Sequence, residues 1–387
     1  MTAFHLLSLP FSIAGRIAIL RPEPSPPVAG NCSFTSVGCY LLTRSIIRSF
    51  VSPDTSIDQL RNDALRGYQL TSRASVSHVN YSTALLVGDS DGALASSFGD
   101  YDSRAHTTLY GEWIVAVPWE SEIPTPNGQF NADLAVVRVF LYFHGGAHVL
   151  GKASQDSRVM EEFALGLHAA PAAILNANYR LLPEHDPKTQ LADAISAYLF
   201  LVESGIRPEN VIVGGCSAGA TIAWRVATEL QEHARPRALV LQSPGTLSGE
   251  RTHFREYANF KDNAKVCTLG GEGIMSLVEQ QWKKRGVEDI EYFKLHHLPE
   301  STLRTLPPTL VLASDFELMI DAIQENVAYL KELGAEITLK LSQCLYHCPL
   351  SGAWPAIPLL FGAEEAVEEL HHTIEWMQAQ WNRPVPT

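Results

Sequence analysis

Residues 211–220, VIVGGCSAGA, begin as an apolar, β-branched run and end in glycines on either side of Ser217. One interpretation is an ordinary turn, because glycine and serine are common turn residues and most turn serines hydrogen-bond only the backbone. The other is a nucleophile held on a sharp strand-to-helix turn, which the spacing G-x-S-x-G predicts. The partners that the rest of the chain supplies decide between the two.

The composition is that of a globular protein with ample material for a core. The chain has 387 residues, of which 46% are hydrophobic and 18% are charged. This length fits one large α/β domain or two ordinary domains. The net charge is −13 and no Lys/Arg-rich run reverses it locally, which argues against nucleic acid as a partner.

Cysteine and histidine usage gives no pattern of a metal site. Cys344 and Cys348 are four residues apart, but no second pair of ligand type follows them. The 14 histidines offer only chance pairs, such as His296–His297 and His371–His372, and adjacent side chains point in different directions on a helix. We expect no metal, reduced thiols and a cytoplasmic location. The cysteines are Cys32, Cys39, Cys216, Cys267, Cys344 and Cys348.

The N-terminal segment, residues 1–27, is apolar but does not have the pattern of a targeting sequence. No basic region precedes Arg16, and Pro10 and Arg16 interrupt the apolar run. The run is too short and broken to cross a bilayer, so no transmembrane segment is expected. An amphipathic segment that covers a hydrophobic site or lies on a membrane surface stays open.

Strand and helix patterns alternate over more than half of the chain. Helical periods at 156–170, 187–205, 320–334 and 363–381 separate several of the apolar runs. This alternation predicts an α/β fold with a mostly parallel central sheet and helices on both faces. Predicted strands are residues 111–118, 135–143, 172–179, 210–215, 237–243, 308–314 and 336–342.

Residues 246–300 break the alternation, because they contain helical pieces but no obvious strand. We interpret them as an insertion above the sheet that forms a helical cap together with residues 1–70. The core then consists of residues 71–245 and 301–387.

The strand at 135–143 is followed by HGGAH, residues 144–148. Paired glycines after a strand allow backbone N–H groups to face a ligand without obstruction by side chains. An oxyanion hole needs such donors about 3 Å from the developing negative charge. Alone, this segment would be an ordinary glycine-rich turn, but together with G-x-S-x-G it favours an oxyanion hole.

The last two predicted strands end next to a set of acids and a histidine. The strand at 308–314 is followed by Asp315, Glu317 and Asp321, and the strand at 336–342 by His347. Because an imidazole activates a serine hydroxyl and a carboxylate fixes the imidazole tautomer, the chain order serine, acid, histidine indicates a catalytic triad.

These motifs resemble the hormone-sensitive-lipase-like branch of the α/β-hydrolase superfamily, which includes many microbial and fungal carboxylesterases. The resemblance covers roughly residues 110–380. It includes NYRLLPEHDPKTQLADA at 178–194, LQSPG at 241–245 and LPPTLVLAS at 306–314. It implies the α/β-hydrolase fold with a helical cap, and neither a cofactor nor a metal.

Carried over position by position, the resemblance implies that Ser217 is the nucleophile and His347 the base. The backbone amides of Gly145, Gly146 and Ala218 would form the oxyanion hole.

The acid needs a choice between two residues. The pattern of the family is acid-x-Leu-x-Asp, and ELMID fits it with Glu317 as the acid and Met319 in the place of leucine. The resemblance therefore favours Glu317, with Asp315 as the alternative acid.

The chain departs from the family pattern at three positions. Ala147 stands where a third glycine is usual, and His148 stands where an aromatic residue is usual and adds a titratable group. Backbone donors survive an alanine provided that φ there is not positive. Cys216 stands where aspartate is common, and we expect both Cys216 and Cys348 to have structural roles.

The resemblance implies hydrolysis of a carboxylic ester or lactone of a small, largely apolar molecule, with a role in secondary metabolism as one possibility. Transfer of the acyl group to another acceptor, or another non-hydrolytic reaction, stays open because the pocket rather than the triad selects the acceptor. A non-catalytic binding protein is a third alternative, since a fold alone does not fix function. The sequence does not indicate an oligomeric state.

Overall fold

A computed structural model of the chain describes residues 74–82, 107–116, 133–134, 136–167, 172–245, 272–284, 286, 295, 298–315, 317–343, 347–348, 350 and 363–384. The predictions for the N-terminal segment, residues 1–70, lie outside the described residues.

The described residues form one eight-stranded sheet in the order β1-β2-β4-β3-β5-β6-β7-β8. Strands β3 to β8 run parallel, whereas β1 and β2 are antiparallel to their neighbours. The sheet confirms the predicted α/β fold with a mostly parallel sheet. The strands are β1 (Ala74–Ser82), β2 (Thr108–Ala116), β3 (Arg138–Phe143), β4 (Ala172–Ala177), β5 (Val211–Cys216), β6 (Ala238–Gln242), β7 (Thr309–Ser314) and β8 (Ile337–Ser342).

Seven helices accompany the sheet in the described residues, besides short 3₁₀ turns. Helix α2 begins with Pro187 after the cap residue Asp186, whose Oδ1 accepts a hydrogen bond of 2.7 Å from the Thr189 N–H. The helices are α1 (Ser157–Gly166), α2 (Pro187–Glu203), α3 (Ala218–Glu229), α4 (Glu272–Lys284), α5 (Glu300–Arg304), α6 (Ile320–Glu332) and α7 (Glu364–Asn382).

Both faces of the sheet are covered, as the continuous apolar strands predict. In β3, Val139, Leu141 and Phe143 belong to one buried cluster, which also contains residues of α2, α3 and α6. The alternate residues Phe140 and Tyr142 belong to a second cluster with residues of α1 and α7. Since successive side chains of a strand point to opposite faces, this division follows directly from the pleat.

The sequence prediction did not include β1. Its sequence, ASVSHVNYS, is rich in polar residues and lies at the edge of the sheet, where it pairs with β2 from Ala74–Ala116 to Ser82–Thr108. Val79 and Tyr81 are buried, whereas the residues between and before them are mostly partly exposed or exposed. This half-buried alternation is the weaker signal that an edge strand leaves in a sequence.

The register of the strands brings the predicted site residues to one edge of the sheet. Phe143 at the end of β3 pairs with Gly215 of β5, and Cys216 pairs with Gln242 of β6. Ser314 of β7 pairs with Ser342 of β8. The loops that carry the candidate functional residues therefore begin side by side, where ligands of open α/β sheets bind.

Within the predicted insertion, residues 246–300, the structure describes helix α4 and a few isolated residues. Val278 and Trp282 of α4 are buried in the same cluster as the strand residues of one sheet face. Helix α4 thus packs onto the α/β core. Among the residues that the structure describes, a helix able to span a bilayer is not found.

Replacing Gly219, the second residue of α3, is expected to destabilise the fold. A Cβ at this position would lie 2.0 Å from the Phe143 carbonyl oxygen and 2.4 Å from that of His144, both rigid backbone atoms. We expect Gly219→Ala to lower the free energy of unfolding by about 1–3 kcal/mol, the usual cost of overpacking. Urea denaturation followed by circular dichroism measures this change.

Gly245→Ala is the matched control for this substitution. The added methyl group would meet its nearest atom, the Thr221 Oγ1, at an ordinary 3.6 Å. Its free energy of unfolding should stay within about 0.5 kcal/mol of the unsubstituted protein. Equal stability of the two variants would contradict the close approach of α3 to the end of β3.

Candidate active site

Ser217 occupies the turn between β5 and α3, as the G-x-S-x-G interpretation predicts. Its backbone has φ 53° and ψ −116°, a conformation that residues with a side chain rarely adopt. A residue held at positive φ between a strand and a helix is typical of the nucleophile turn of α/β-hydrolases.

The two flanking glycines are required by close backbone packing. A Cβ on Gly215 would lie 2.4 Å from the Gly219 carbonyl carbon and 2.7 Å from the Phe143 carbonyl oxygen. A Cβ on Gly219 would lie still closer to the same oxygen, at 2.0 Å, so neither position has room for a side chain. The helix can therefore start directly above the ends of β3 and β5.

The end of β6 holds the Ser217 turn from the other side. The Ser217 N–H donates to the Gln242 carbonyl at 2.8 Å, and the Gly245 N–H donates to the Ser217 carbonyl at 3.4 Å. The Thr221 hydroxyl, one turn into α3, donates to the Gly245 carbonyl at 2.6 Å. These bonds fix the backbone on both sides of the serine.

The structure brings Glu317 together with His347. The Glu317 Oε1 lies 2.7 Å from the His347 Nδ1, and both side chains are almost fully buried, at 0% and 1% exposure. Such a contact fixes the tautomer of a histidine whose other nitrogen acts as a base. The alternative acid, Asp315, is exposed at the end of β7, where its N–H donates to the Ser342 carbonyl. Partial burial raises the pKa of Asp315.

A disulfide joins Cys216 to Cys348, with their Cα atoms 6.1 Å apart. The prediction of reduced thiols is therefore wrong for this pair. The spacing of the cysteines gave no indication of it, because the two residues are 132 positions apart and meet only through the fold. The expectation of structural roles for both cysteines agrees with the bond.

The disulfide connects the residue before Ser217 to the residue after His347. The loop that carries His347 is also held by a hydrogen bond of 2.9 Å from the Cys348 N–H to the Ser243 hydroxyl at the end of β6. Cys348 and Ser243 both have positive φ, 53° and 44°. Backbone strain of this kind gathers at functional sites. The predicted nucleophile and base thus lie on two loops that are covalently linked.

The predicted oxyanion segment lies against the Ser217 turn. A Cβ on Gly145 would be 3.1 Å from the Cys216 carbonyl oxygen and 3.5 Å from the Ser217 Cβ. After Gly145 the chain turns back on itself, since the N–H groups of Val149 and Leu150 both donate to the Gly146 carbonyl. Gly145 is thus close to the serine.

Three consecutive residues of this segment have positive φ: Gly146 at 128°, Ala147 at 52° and His148 at 65°. We expected the Ala147 amide to remain a donor on the condition that φ there is not positive, and the observed φ of 52° does not meet this condition. Alanine and histidine occupy the left-handed region here, where glycine is favoured. The segment keeps a tight turn although Ala147 stands in the place of a glycine.

Side chains that sequence reasoning missed hold this turn. Gln190 of α2 pairs with His148, its Oε1 lying 2.9 Å from the His148 Nδ1 and its Nε2 donating to the His148 carbonyl at 2.9 Å. The indole N–H of Trp282 in α4 donates to the Ala147 carbonyl at 3.1 Å. The Tyr179 hydroxyl donates to the His144 carbonyl at 2.8 Å. Only their three-dimensional contacts reveal these roles.

Burial changes the protonation of the histidines in this segment. It lowers the pKa of both His144 and His148 to about 4, although hydrogen bonds to Gly145 and Gln190 oppose the shift. Both imidazoles are therefore neutral at pH 7. His148 does not add a group that titrates near neutral pH, contrary to the expectation from its sequence. Its ring also stays uncharged next to the predicted oxyanion hole.

The segment NYRLLPEHDPKTQLADA, residues 178–194, is structural. Asp193 is buried and paired with Arg180, whose Nη2 lies 2.6 Å from its Oδ1 and whose N–H donates to its Oδ2 at 2.9 Å. Burial raises the pKa of Asp193, and the bonds to Arg180 oppose this effect. The side chain of Asn178 accepts a hydrogen bond of 2.7 Å from the Ala153 N–H. The Leu182 N–H of the segment donates to the His148 carbonyl at 2.9 Å, so the segment contacts the turn that follows Gly145.

The described residues also form a surface cavity, which lies away from the predicted site residues. The cavity, of about 500 Å³, lies between β8 and α7, and none of the predicted catalytic residues lines it. Within the described ranges, no group of three or more His, Cys, Asp or Glu side chains is placed to hold a metal ion.

Comparison with curated proteins finds relatives among bacterial and plant esterases. The chain is 31% identical to the carboxylesterase/phospholipase LipF of Mycobacterium tuberculosis over 202 residues. The aligned stretch covers 51% of this chain and 52% of LipF. It is 30% identical over 205 residues to the esterase LipU of the same organism, 53% of this chain and 67% of LipU. A probable carboxylesterase 6 of Arabidopsis thaliana is 30% identical over 155 residues, 36% of this chain and 44% of the relative. The matches thus span from less than half to two thirds of these relatives.

Solved structures share the fold at low sequence identity. An esterase/lipase from an uncultured bacterium superposes with a TM-score of 0.64 at 20% identity, covering 91% of this chain and all of the other. An esterase of the bacterial hormone-sensitive lipase family gives a TM-score of 0.62 at 19% identity, covering 90% and 99%. At this identity the likeness concerns the fold.

Residues 140–351, more than half of the chain, match the family described as the alpha/beta hydrolase fold. This stretch contains the Ser217 turn, the segment after β3, and both Glu317 and His347. The chain therefore belongs to the α/β-hydrolase fold family, as its motifs predict.

Proposed function

We propose that the protein is a serine esterase that cleaves carboxylic esters through an acyl-enzyme. The observation that carries the proposal is the 2.7 Å contact between the Glu317 Oε1 and the His347 Nδ1, on a loop that a disulfide joins to the strained Ser217 turn. The names of the relatives, which are carboxylesterases and esterases, support the same reaction.

In the proposed reaction, the Ser217 hydroxyl attacks the acyl carbonyl and its proton passes to the His347 Nε2. Glu317 accepts the hydrogen bond from the Nδ1 proton and stabilises the imidazolium that forms. Collapse of the tetrahedral intermediate expels the alcohol, which takes the proton from His347. A water molecule, deprotonated by His347, then releases the acid and regenerates Ser217.

The proposed oxyanion hole consists of the amides of Gly145, Gly146 and Ala218. Gly145 lies against the serine turn, and Ala218 is the first residue of α3. Donors on fixed backbone need no reorganisation when negative charge develops on the carbonyl oxygen, so each can lower the barrier substantially.

The substrate that we propose is an ester or lactone of a small, largely apolar molecule. The cap of residues 246–300 together with residues 1–70 would shape its pocket, and α4 would form the wall closest to the oxyanion turn, where Trp282 reaches Ala147. A place in secondary metabolism belongs to this proposal, and so does a cytoplasmic location, in which burial would shield the Cys216–Cys348 bond from reductants.

The first prediction concerns turnover of p-nitrophenyl esters from acetate to octanoate. We expect steady-state release of p-nitrophenol, and a loss of kcat on the order of 10⁴-fold or more in Ser217→Ala, because the nucleophile is removed. The profile over chain length reports the size of the acyl pocket. Stopped-flow absorbance measures both the burst and the steady state.

Ser196→Ala is the control, since the buried Ser196 hydroxyl of α2 donates, among the described residues, to the Ala192 carbonyl of its own helix. Its kcat should stay within about twofold of the original. A burst without turnover would indicate an acyl-enzyme that water does not release and would favour an acceptor other than water. Folded protein without any release would favour another reaction or a non-catalytic binding role and would contradict the proposal.

The second prediction distinguishes the two candidate acids. Glu317→Gln keeps the shape of the side chain but leaves the His347 tautomer unfixed, so kcat should fall by about 10³–10⁴-fold. Asp315→Asn changes an exposed side chain and should leave kcat nearly unchanged. Steady-state kinetics of both variants provides the test, and the reverse order of effects would assign the acid to Asp315.

The third prediction concerns the contact between α4 and the oxyanion turn. Trp282→Phe retains most of the buried ring but removes the hydrogen bond to the Ala147 carbonyl. If that bond holds the turn in its active shape, kcat should fall about 2–10-fold, the equivalent of one hydrogen bond. An unchanged kcat with a lower melting temperature would show that the contact only stabilises the cap.

A further inference from the structure

The disulfide between Cys216 and Cys348 lies between the two residues on which the proposed reaction depends. Cys216 precedes Ser217 and Cys348 follows His347. A cross-link at these positions limits how far the His347 loop can move from the serine turn.

Contacts besides the disulfide involve the described residues of the loop that carries His347. The Cys348 N–H donates to the Ser243 hydroxyl at 2.9 Å, and the His347 Nδ1 contacts Glu317. Cys348 itself has a φ of 53°, a conformation that costs free energy and needs external support. The disulfide is a covalent support at this strained residue.

One end of the cross-link lies in the sheet, and the other lies next to it. Cys216 is the last residue of β5 and pairs with Gln242 of β6. The Sγ of Cys348 lies 4.0 Å from the Gln242 carbonyl oxygen, the group that also accepts the Ser217 N–H. Any displacement of Cys348 would therefore strain the backbone that positions the serine.

Burial determines what this disulfide can do. The side chains of Cys216 and Cys348 are 3% and 0% exposed, so a thiolate in solution has little access to either sulfur. A bond that must respond quickly to a cellular reductant would be exposed. The burial favours a permanent support.

We propose that Cys216 and Cys348 are positioning residues, whose disulfide holds the His347 imidazole in line with the Ser217 hydroxyl. The inference rests on the proposed function, because it assigns the disulfide a role through the proposed base and nucleophile. It predicts that opening the bond lowers kcat while substrate binding, and hence KM, changes little.

The test uses Cys216→Ala, Cys348→Ala and the double variant in the full chain. Each should lower kcat for p-nitrophenyl butyrate at least tenfold, with KM within threefold, at a temperature well below the melting temperature of the variant. Because either substitution opens the same bond, the double variant should be no slower than the slower single variant. If the losses of kcat in the two single variants instead add up in the double variant, the two cysteines do not act through one shared bond, and the proposal is overturned.

A purely structural role gives a different result. The melting temperature of the variants would then fall while kcat of the folded protein stayed within twofold, and this outcome would overturn the proposal. Non-reducing peptide mapping of the purified protein should identify the Cys216–Cys348 cross-link. Active protein with both thiols free would overturn it as well.

Reduction of the unsubstituted protein tests the same point without a substitution. A dithiol such as dithiothreitol transfers two electrons and two protons to the Sγ–Sγ bond, giving two thiols and its own cyclic disulfide. Loss of kcat should follow the appearance of the two thiols with the same time course. Thiols that appear without loss of kcat would contradict the proposal.

A proton NMR measurement separates this inference from the proposed function. The Nδ1 proton of His347 next to the Glu317 carboxylate should give a strongly deshielded resonance, identified by its absence in Glu317→Gln. This resonance requires no turnover. If the unsubstituted protein lacks esterase activity but the resonance disappears in both cysteine variants, the positioning role holds and the esterase proposal fails. A resonance that persists in both variants overturns the positioning role.

Discussion

The close approach of helix α3 to the end of strand β3 is the constraint on which the site depends. Gly219 has no room for a side chain, since a Cβ would lie 2.0 Å from the Phe143 carbonyl oxygen. Because the helix starts this near to the sheet, the residue before it has to turn sharply, and Ser217 takes a φ of 53°. The same approach brings Gly145, just after β3, against the serine. This one packing contact thus positions both Ser217 and the predicted oxyanion segment.

Residues with strained backbone conformations lie close together around this contact. Ser217, Ser243 and Cys348 all have positive φ. The Cys348 N–H donates to the Ser243 hydroxyl, and the disulfide joins Cys348 to Cys216, the residue before Ser217. Each such residue costs roughly 1–3 kcal/mol. The chain-entropy model assigns a disulfide across about 100 residues roughly 4.7 kcal/mol of stabilisation. The bond from Cys216 spans 132 residues, so its contribution is comparable to the local strain that it helps to maintain.

The sequence predicts the parallel core and the order of serine, acid and histidine, because both leave local signals. Buried strands are continuous apolar runs. Ser217 directly follows such a strand, β5, and His347 comes five residues after the end of β8. The edge strand β1 leaves a weaker alternating pattern and was missed. The Cys216–Cys348 bond and the contact of Gln190 with His148 join residues that are far apart in the chain. No local pattern encodes such pairs, so only the folded structure reveals them.

The substitution of a glycine by Ala147 illustrates how distant residues compensate a local departure. A left-handed residue with a side chain is disfavoured by roughly 1–2 kcal/mol, yet Ala147 keeps a φ of 52°. Two side chains oppose relaxation of this turn: Trp282 binds the Ala147 carbonyl, and Gln190 binds both the ring and the carbonyl of His148. Burial lowers the pKa of His148 to about 4, so the ring that Gln190 contacts is neutral at pH 7. Helices α4 and α2 therefore stabilise the left-handed conformation that a glycine would adopt without side-chain contacts, and the shape of the turn depends on their packing.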